Sequence, residues 1–476
     1  MFVSRETELM ALQKLYDKQT FQMVVMYGRR RVGKTTLINE FIKDKPAIFF
    51  SAQEANEKMN LQMFSAKVYS FFDLPETTGA FVNWNDAFMF IADRAKSRQF
   101  ILAIDEFPYI AETNKSVKSI LQNIIDHHMK NTGLYLILCG SQVGFMEREV
   151  LGYKSPLFGR RTAQFCIESF DYYDCAKMLP HASNEDKMRY YASVGGTPHY
   201  LSQIDSNLTF EDNIKSLFFK PQGFLYSEPT MLLQQELREP AMYNSIIAAI
   251  ATGSSRLNEI STKIGEDSSK TIKYIKTLVD LKILQKVIPF GDNPERSKKG
   301  IYSISEQSFR FWYRFVFLNK TSVESGLGAE VADSVVFPEL PAFVGKSAFE
   351  SACRQYILRR NKDRSLPFIT TNIGCWWGND PVAKENTDID VVADNKQDGQ
   401  IILGKCKWRN EPTDAADIMK LISKAHLISG YDEYQYMFFS KSPYTEAAKQ
   451  IAREKKNLEL VTLDLLYSST IAPHLR

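Results

Sequence analysis

Residues 28–35 read Gly-Arg-Arg-Arg-Val-Gly-Lys-Thr, and no other feature constrains the chain as strongly. The spacing Gly28-x4-Gly33-Lys34-Thr35 is the P-loop pattern. Glycines let backbone N–H groups turn inward around an anion without a clashing Cβ. The pattern needs a strand before it and a helix after it. The apolar run 23–27 precedes it and the helix-forming run 37–41 follows, which sets it apart from a fortuitous glycine turn. The positive end of that helix then faces the same anion. Gly28, Arg29, Arg30, Arg31, Val32, Gly33, Lys34, Thr35 and Thr36 are therefore the expected triphosphate cradle. Lys34 reaches the β- and γ-phosphates, and the Thr35 hydroxyl is a ligand for Mg²⁺.

A second apolar run, residues 100–104, ends in Asp105-Glu106. Asp105 can hold the hydrated Mg²⁺ from a strand tip. Glu106 can polarise the attacking water as a general base. A third run, 134–139, ends in Gly140-Ser141-Gln142. Ser141 is placed to contact the γ-phosphate or orient the water, or it simply ends the strand. Beyond it stand Arg160 and Arg161, whose fixed charge either speeds hydrolysis in cis or trans or rests in solvent.

At 476 residues the chain is too long for one hydrophobic core, since domains typically hold about 100–200 residues. Strands expected at 23–27, 47–51, 100–104, 135–139 and 164–167 alternate with helices at 34–42, 84–96 and 116–129. That alternation predicts an α/β core over 1–168, a parallel sheet with helices on both faces. Residues 169–237 read as a helical lid. Residues 238–320 read as three helices and two strands, the order of a winged helix-turn-helix. Its third helix carries Lys270, Lys273 and Lys276, and its wing tip carries Arg296, Lys298 and Lys299. These suit phosphate contact in a groove, or else form the solvated face of a protein-binding module. Gly326, Gly328, Pro338 and Pro341 mark 321–340 as a linker, and 341–476 reads as a small α/β domain.

The net charge of +3 is too mild to imply nucleic acid or membrane by itself. No stretch approaches the roughly 18 apolar residues of a membrane span, and the first residues lack a secretory pattern. Six cysteines show no zinc spacing and are expected as thiols in a reducing cytoplasm.

Several pieces together resemble a known family. They are Phe2-Val-Ser-Arg5-Glu6-Thr-Glu8, the arginine-rich P-loop, Ile104-Asp105-Glu106, Gly140-Ser141, Phe158-Gly159-Arg160 and Gly195-Gly196-Thr197-Pro198. The chain is similar to archaeal-type ATPases, AAA+-related proteins that share features with STAND signalling NTPases. The resemblance implies ATP rather than GTP, Arg5 beside the adenine, Ser141 as a sensor, and Arg160 or Arg161 as an arginine finger. Gln142 stands where such proteins often have a second serine.

The final domain resembles the restriction-endonuclease-like PD-(D/E)xK fold. The matching residues are Glu350, Asp388 and Asp390, then Lys405 and Lys407 in Gly-Lys-Cys-Lys-Trp. Lys405 stands where that pattern has Glu. An ammonium is no metal ligand and repels a cation, so a nuclease-derived but inactive or strongly impaired domain is expected. Three roles remain open at this stage. One is an ATPase coupled to double-stranded DNA; another is a signalling or scaffold switch whose C-terminal domains bind protein. The third is an ATP-regulated, metal-dependent DNA nuclease. A homo-oligomer is a further possible partner, and no membrane is.

Overall fold

The computed structural model describes residues 2–75, 79–237 and 239–468. The chain divides into two units, Met1–Ser169 and Phe170–Arg476.

In the first unit five parallel strands form one sheet: β1 Gln22–Tyr27, β2 Ala47–Ser51, β3 Phe100–Asp105, β4 Leu134–Gly140 and β5 Ala163–Cys166. Every residue of β1, β3 and β4 is buried. Covered on both faces, such strands read as continuous apolar runs rather than alternating ones. Along β1, Met23 and Val25 enter one core with Phe64, Trp84, Phe88 and Leu121. Val24 and Met26 enter the opposite core with Leu12, Leu37, Ile38 and Phe41. The strand order is β2-β3-β4-β1-β5. It inserts β4 between β1 and β3, so the C-terminal tips of all three lie side by side. Ligands of open α/β sheets bind outside such tips.

The second unit opens with helices Tyr172–Lys177, Asn184–Ser193, Phe210–Phe218 and Glu228–Glu236. Helices Pro240–Ala251, Leu257–Ile264 and Ser268–Asp280 follow, then an antiparallel pair, β6 Leu284–Val287 and β7 Ile301–Ile304. Helix Ser268–Asp280 buries Thr271, Ile275 and Leu278 and exposes Lys270, Lys273 and Lys276.

The linker expected over 321–340 is instead packed helix. Helices Lys320–Glu324, Gly328–Val331 and Phe337–Val344 lead into Glu350–Lys362. Ala332, Val336, Leu340 and Val344 recur four residues apart and sit in the unit's main core with Phe218 and Phe311. The supposed breakers have other roles. A Cβ on Gly328 would lie 1.9 Å from the Phe219 carbonyl oxygen, so this glycine serves close packing. Pro338 comes just after the π-helical turn Ala332–Val336 and Pro341 lies inside helix Phe337–Val344, so the helical run passes through both prolines.

A mixed sheet closes the unit: β8 Asn372–Asp380, β9 Glu385–Asn395, β10 Gln400–Lys407, β11 Glu433–Ser440 and β12 Leu458–Thr462, in order β12-β11-β10-β9-β8. β8, β9 and β10 pair antiparallel; β10, β11 and β12 pair parallel. The loop between β6 and β7 is tied to this sheet, for the Phe290 N–H donates to the Cys375 carbonyl at 2.8 Å. Among the described residues no helix is long and apolar enough to cross a membrane.

Candidate functional site

The loop after β1 is shaped by three positive φ angles: Gly28 at 153°, Arg31 at 71° and Gly33 at 92°. Gly28 is required by its neighbour, because a Cβ there would stand 2.1 Å from the Ile167 carbonyl oxygen. Gly33 starts helix Lys34–Ile42 from the left-handed region that glycine enters readily. Lys34 is buried, and its Nζ donates to the carbonyls of Gly28 and Arg29, each at 2.8 Å. Burial lowers its pKa, while Cys139, Glu106 and Asp105 oppose that shift.

The neighbouring strand tips deliver the acids. Thr35 Oγ1 donates to Asp105 Oδ2 at 2.6 Å, and Asp105 Oδ1 accepts the Glu106 N–H at 3.0 Å. Glu106 itself sits at φ 52°, ψ 44°, an uncommon conformation for a residue with a Cβ. Its Oε2 accepts both the Ser141 hydroxyl at 2.9 Å and the Ser141 N–H at 3.2 Å. Behind them burial pushes the Cys139 thiol well up, with Asp105 adding to the shift. The structure thus brings together Gly28, Gly33, Lys34, Thr35, Asp105, Glu106 and Ser141.

Arg5 was expected at the site, while two other partners, Tyr109 of Arg30 and Asp126 of Arg160, were not legible beforehand. Arg5, at φ 72°, donates to the carbonyls of Glu168 and, at 3.4 Å, Val32, and pairs with Glu8 at 3.2 Å. It clamps the loop to the chain just past β5. Tyr109 accepts from Arg30 Nη2 through its hydroxyl at 3.1 Å. Asp126 holds Arg160: its Oδ2 lies 2.6 Å from Nη2, and Nε donates to both carboxylate oxygens. Arg160 Nη1 is spent on the Pro156 and Phe158 carbonyls at 2.9 Å. Arg160, then Lys130, draw the Asp126 carboxyl from 3.8 down to about 2. Arg160 is thus committed locally, while neighbouring Arg161 is half-buried.

In the second unit the basic residues of the three-helix module face solvent. Lys273, Lys276, Arg296, Lys298 and Lys299 are exposed, and Lys270 pairs with Glu266 at 2.8 Å.

A separate cluster lies on the closing sheet. Lys405 Nζ of β10 bridges two aspartates of β9, at 3.0 Å from Asp388 Oδ1 and 2.9 Å from Asp390 Oδ1. The other Asp390 oxygen accepts the Cys406 N–H at 2.7 Å. Burial opposes the Lys405 charge, but Asp390 and Asp388 outweigh it and raise its pKa. Glu350 joins from its helix, pushed up to about 7 by burial and then by Asp390. Sequence reasoning missed Lys424, whose Nζ donates to the Asp388 carbonyl at 2.8 Å, and Arg354, whose Nη1 donates to the Asp390 carbonyl at 2.8 Å. Lys407 pairs with Asp417 at 3.7 Å.

Comparison with known proteins bears on both clusters. Residues 2–204 match a family described as an ATPase domain predominantly from Archaea. Residues 312–419 match one described as Archaea bacterial proteins of unknown function, and residues 381–469 match a restriction endonuclease family. An uncharacterized protein of Methanocaldococcus jannaschii is 30% identical over 466 residues, covering 98% of this chain and 99% of its own length. An uncharacterized ATP-binding protein of the same organism is 44% identical over 45 residues, 10% of this chain and 76% of that one. Among solved structures, a Walker-type ATPase of Pyrococcus abyssi superposes with a TM-score of 0.50 at 18% identity. That match covers 66% of this chain and 96% of the other, and at such identity it speaks for the fold. The chain belongs to the archaeal-type P-loop ATPase family, as a member with a nuclease-like domain at its C-terminal end.

Proposed function

We propose that the chain binds MgATP at the tips of β1, β3 and β4, hydrolyses it slowly, and couples that cycle to DNA contact through the module over 238–320. One observation carries the nucleotide reading. The Thr35 hydroxyl and the Asp105 carboxylate meet at 2.6 Å in the same crevice as Lys34 and Glu106. This oxygen pair is the donor set a hard divalent cation needs. Thr35 and Asp105 would hold Mg²⁺, which would supply charge to offset that of the phosphates.

The chain's own groups divide the remaining work. Loop amides and the end of helix Lys34–Ile42 bind the phosphates. Lys34 adds a mobile charge whose present partners, two carbonyls, carry no net charge to compete for it. Glu106 is the general base, and Ser141 holds its carboxylate in place. Arg161 is the better candidate for a finger than Arg160, which Asp126 occupies. A finger acting in trans makes a homo-oligomer part of this reading. Arg5 supports the adenine side through the loop it clamps.

We assign the 238–320 module as a winged helix whose Lys273, Lys276, Arg296, Lys298 and Lys299 contact phosphates of double-stranded DNA. Counter-ion release then makes affinity fall steeply with salt. A second reading, a STAND-like switch whose C-terminal domains bind protein, draws support from Glu266, which neutralises Lys270 at the start of the third helix. Salt-dependent gel shift with duplex DNA separates the two; no binding at low salt removes the first. The absence of disulfides among the described cysteines supports placement in the cytoplasm.

A further inference from the structure

We propose that Lys405 is a built-in counter-ion, its ammonium standing where a PD-(D/E)xK nuclease would hold its divalent metal, so that this domain takes up no metal there. The inference rests on the nuclease-derived reading of the C-terminal domain and is independent of the nucleotide site.

Asp388 and Asp390 lie two residues apart on one face of β9, and the Asp390 side chain is only 3% exposed. Two carboxylates so placed, with Glu350 beside them, repel one another unless a cation sits between them. The Lys405 ammonium does sit there, within hydrogen-bond reach of both aspartates. Its tether means no free ion has to be recruited. The remaining Asp390 oxygen is already taken by the Cys406 N–H, and Lys424 and Arg354 add positive charge at the backbone of the same two aspartates. Mg²⁺ would need oxygen ligands at about 2.0–2.1 Å in an octahedral shell. The residues present do not fit that demand. A divalent ion would have to displace Lys405 and then bear three cationic side chains nearby. No hydrolytic step is derived through a metal at this site.

The test uses the full chain without nucleotide. Mn²⁺ uptake is followed by electron paramagnetic resonance and thermal unfolding in EDTA or in MnCl₂, for wild type, Lys405→Ala, Lys405→Glu and Lys405→Arg. Wild type is expected to take up no Mn²⁺, and the unfolding of its second unit should not move between EDTA and MnCl₂. Lys405→Ala should unfold roughly 5–10 °C lower in EDTA and recover in MnCl₂ while binding one ion. Lys405→Glu should bind it more tightly, and Lys405→Arg should keep the wild-type behaviour. Mn²⁺ bound by wild type and lost in Asp390→Asn would overturn the proposal, and this holds even if no position-405 variant folds. So would a Lys405→Ala protein that binds no Mn²⁺, whether or not it is destabilised, because Lys405 would then be an ordinary ion pair.

Discussion

Two lysines, Lys34 buried at the start of its helix and Lys405 half-buried in β10, have opposite surroundings. Lys34 faces carbonyl oxygens, each at 2.8 Å, and the nearest acids, Asp105 and Glu106, are engaged by Thr35 and Ser141. Its ammonium therefore has no contact ion pair to break before it meets an incoming anion. Lys405 faces two aspartate oxygens at 2.9 and 3.0 Å, so its charge is already balanced within the fold. What a lysine can do thus depends on whether its partners are dipoles or charges. The first arrangement suits the anion site proposed above, and the second is a structural cross-link between β9 and β10.

Several variants would break or sharpen this contrast. The largest effect is expected at Glu106. Glu106→Gln should slow turnover by about 10²–10⁴-fold, the usual worth of a general base, while MgATP affinity stays within a few-fold. Turnover unchanged in a single-turnover assay would remove Glu106 from the mechanism. Next come the lysines themselves. Lys405→Ala leaves a buried carboxylate uncompensated and should destabilise the second unit by about 3 kcal/mol. Lys34→Ala breaks no contact ion pair, only hydrogen bonds to two carbonyls, and should change the stability of the first unit by about 1 kcal/mol or less. Urea unfolding followed separately for the two units would contradict the comparison if the two losses were equal.

A smaller effect is expected at Asp126. Asp126→Asn should remove about 1 kcal/mol from the first unit, in line with a half-exposed charge-assisted pair. The sign with pH is fixed by the depressed carboxyl, 3.8 falling to about 2. The contribution is full above about pH 4 and is lost as pH falls toward 2. The stability gap between wild type and variant should close over that window; a gap unchanged at pH 2 would contradict the pairing. Smallest of all is a single phosphate contact. Lys273→Ala or Lys276→Ala should each lower the slope of log affinity against log salt for duplex DNA by about 1, and an unchanged slope would take that lysine off the interface.

How much of this was legible in the sequence follows the distance over which each feature is encoded. The phosphate loop, Asp105-Glu106 and Ser141 all sit at the ends of short apolar runs, and local pattern sufficed to single them out as residues that the fold brings together. The parallel sheet followed from the alternation of those runs with helices. Contacts joining residues far apart in the chain left no local trace. Arg160 meets Asp126, 34 positions away, Lys424 meets Asp388, 36 away, and Tyr109 meets Arg30, 79 away. Asp126 and Tyr109 carry no motif that would have singled them out. The stretch over 321–340 was misread because Gly328 and Pro338 have the composition of a break. Gly328 is held against the Phe219 carbonyl and Pro338 is carried within a continuous helical run, which only the packed structure reveals. Lys405 was the reverse case. Its departure from the nuclease pattern was visible at once, while the bridge it makes to both Asp388 and Asp390 required coordinates.

The central claim is that the loop from Gly28 to Thr35, with Lys34 hydrogen-bonded to carbonyls behind it, is a triphosphate site. Titration calorimetry with MgATP on the folded chain tests it most directly. Wild type should bind one nucleotide per chain, and Lys34→Ala should bind at least about 100-fold more weakly, as the loss of a buried charge–phosphate contact requires. No uptake by folded wild type, or equal affinity in the two proteins, would contradict the account.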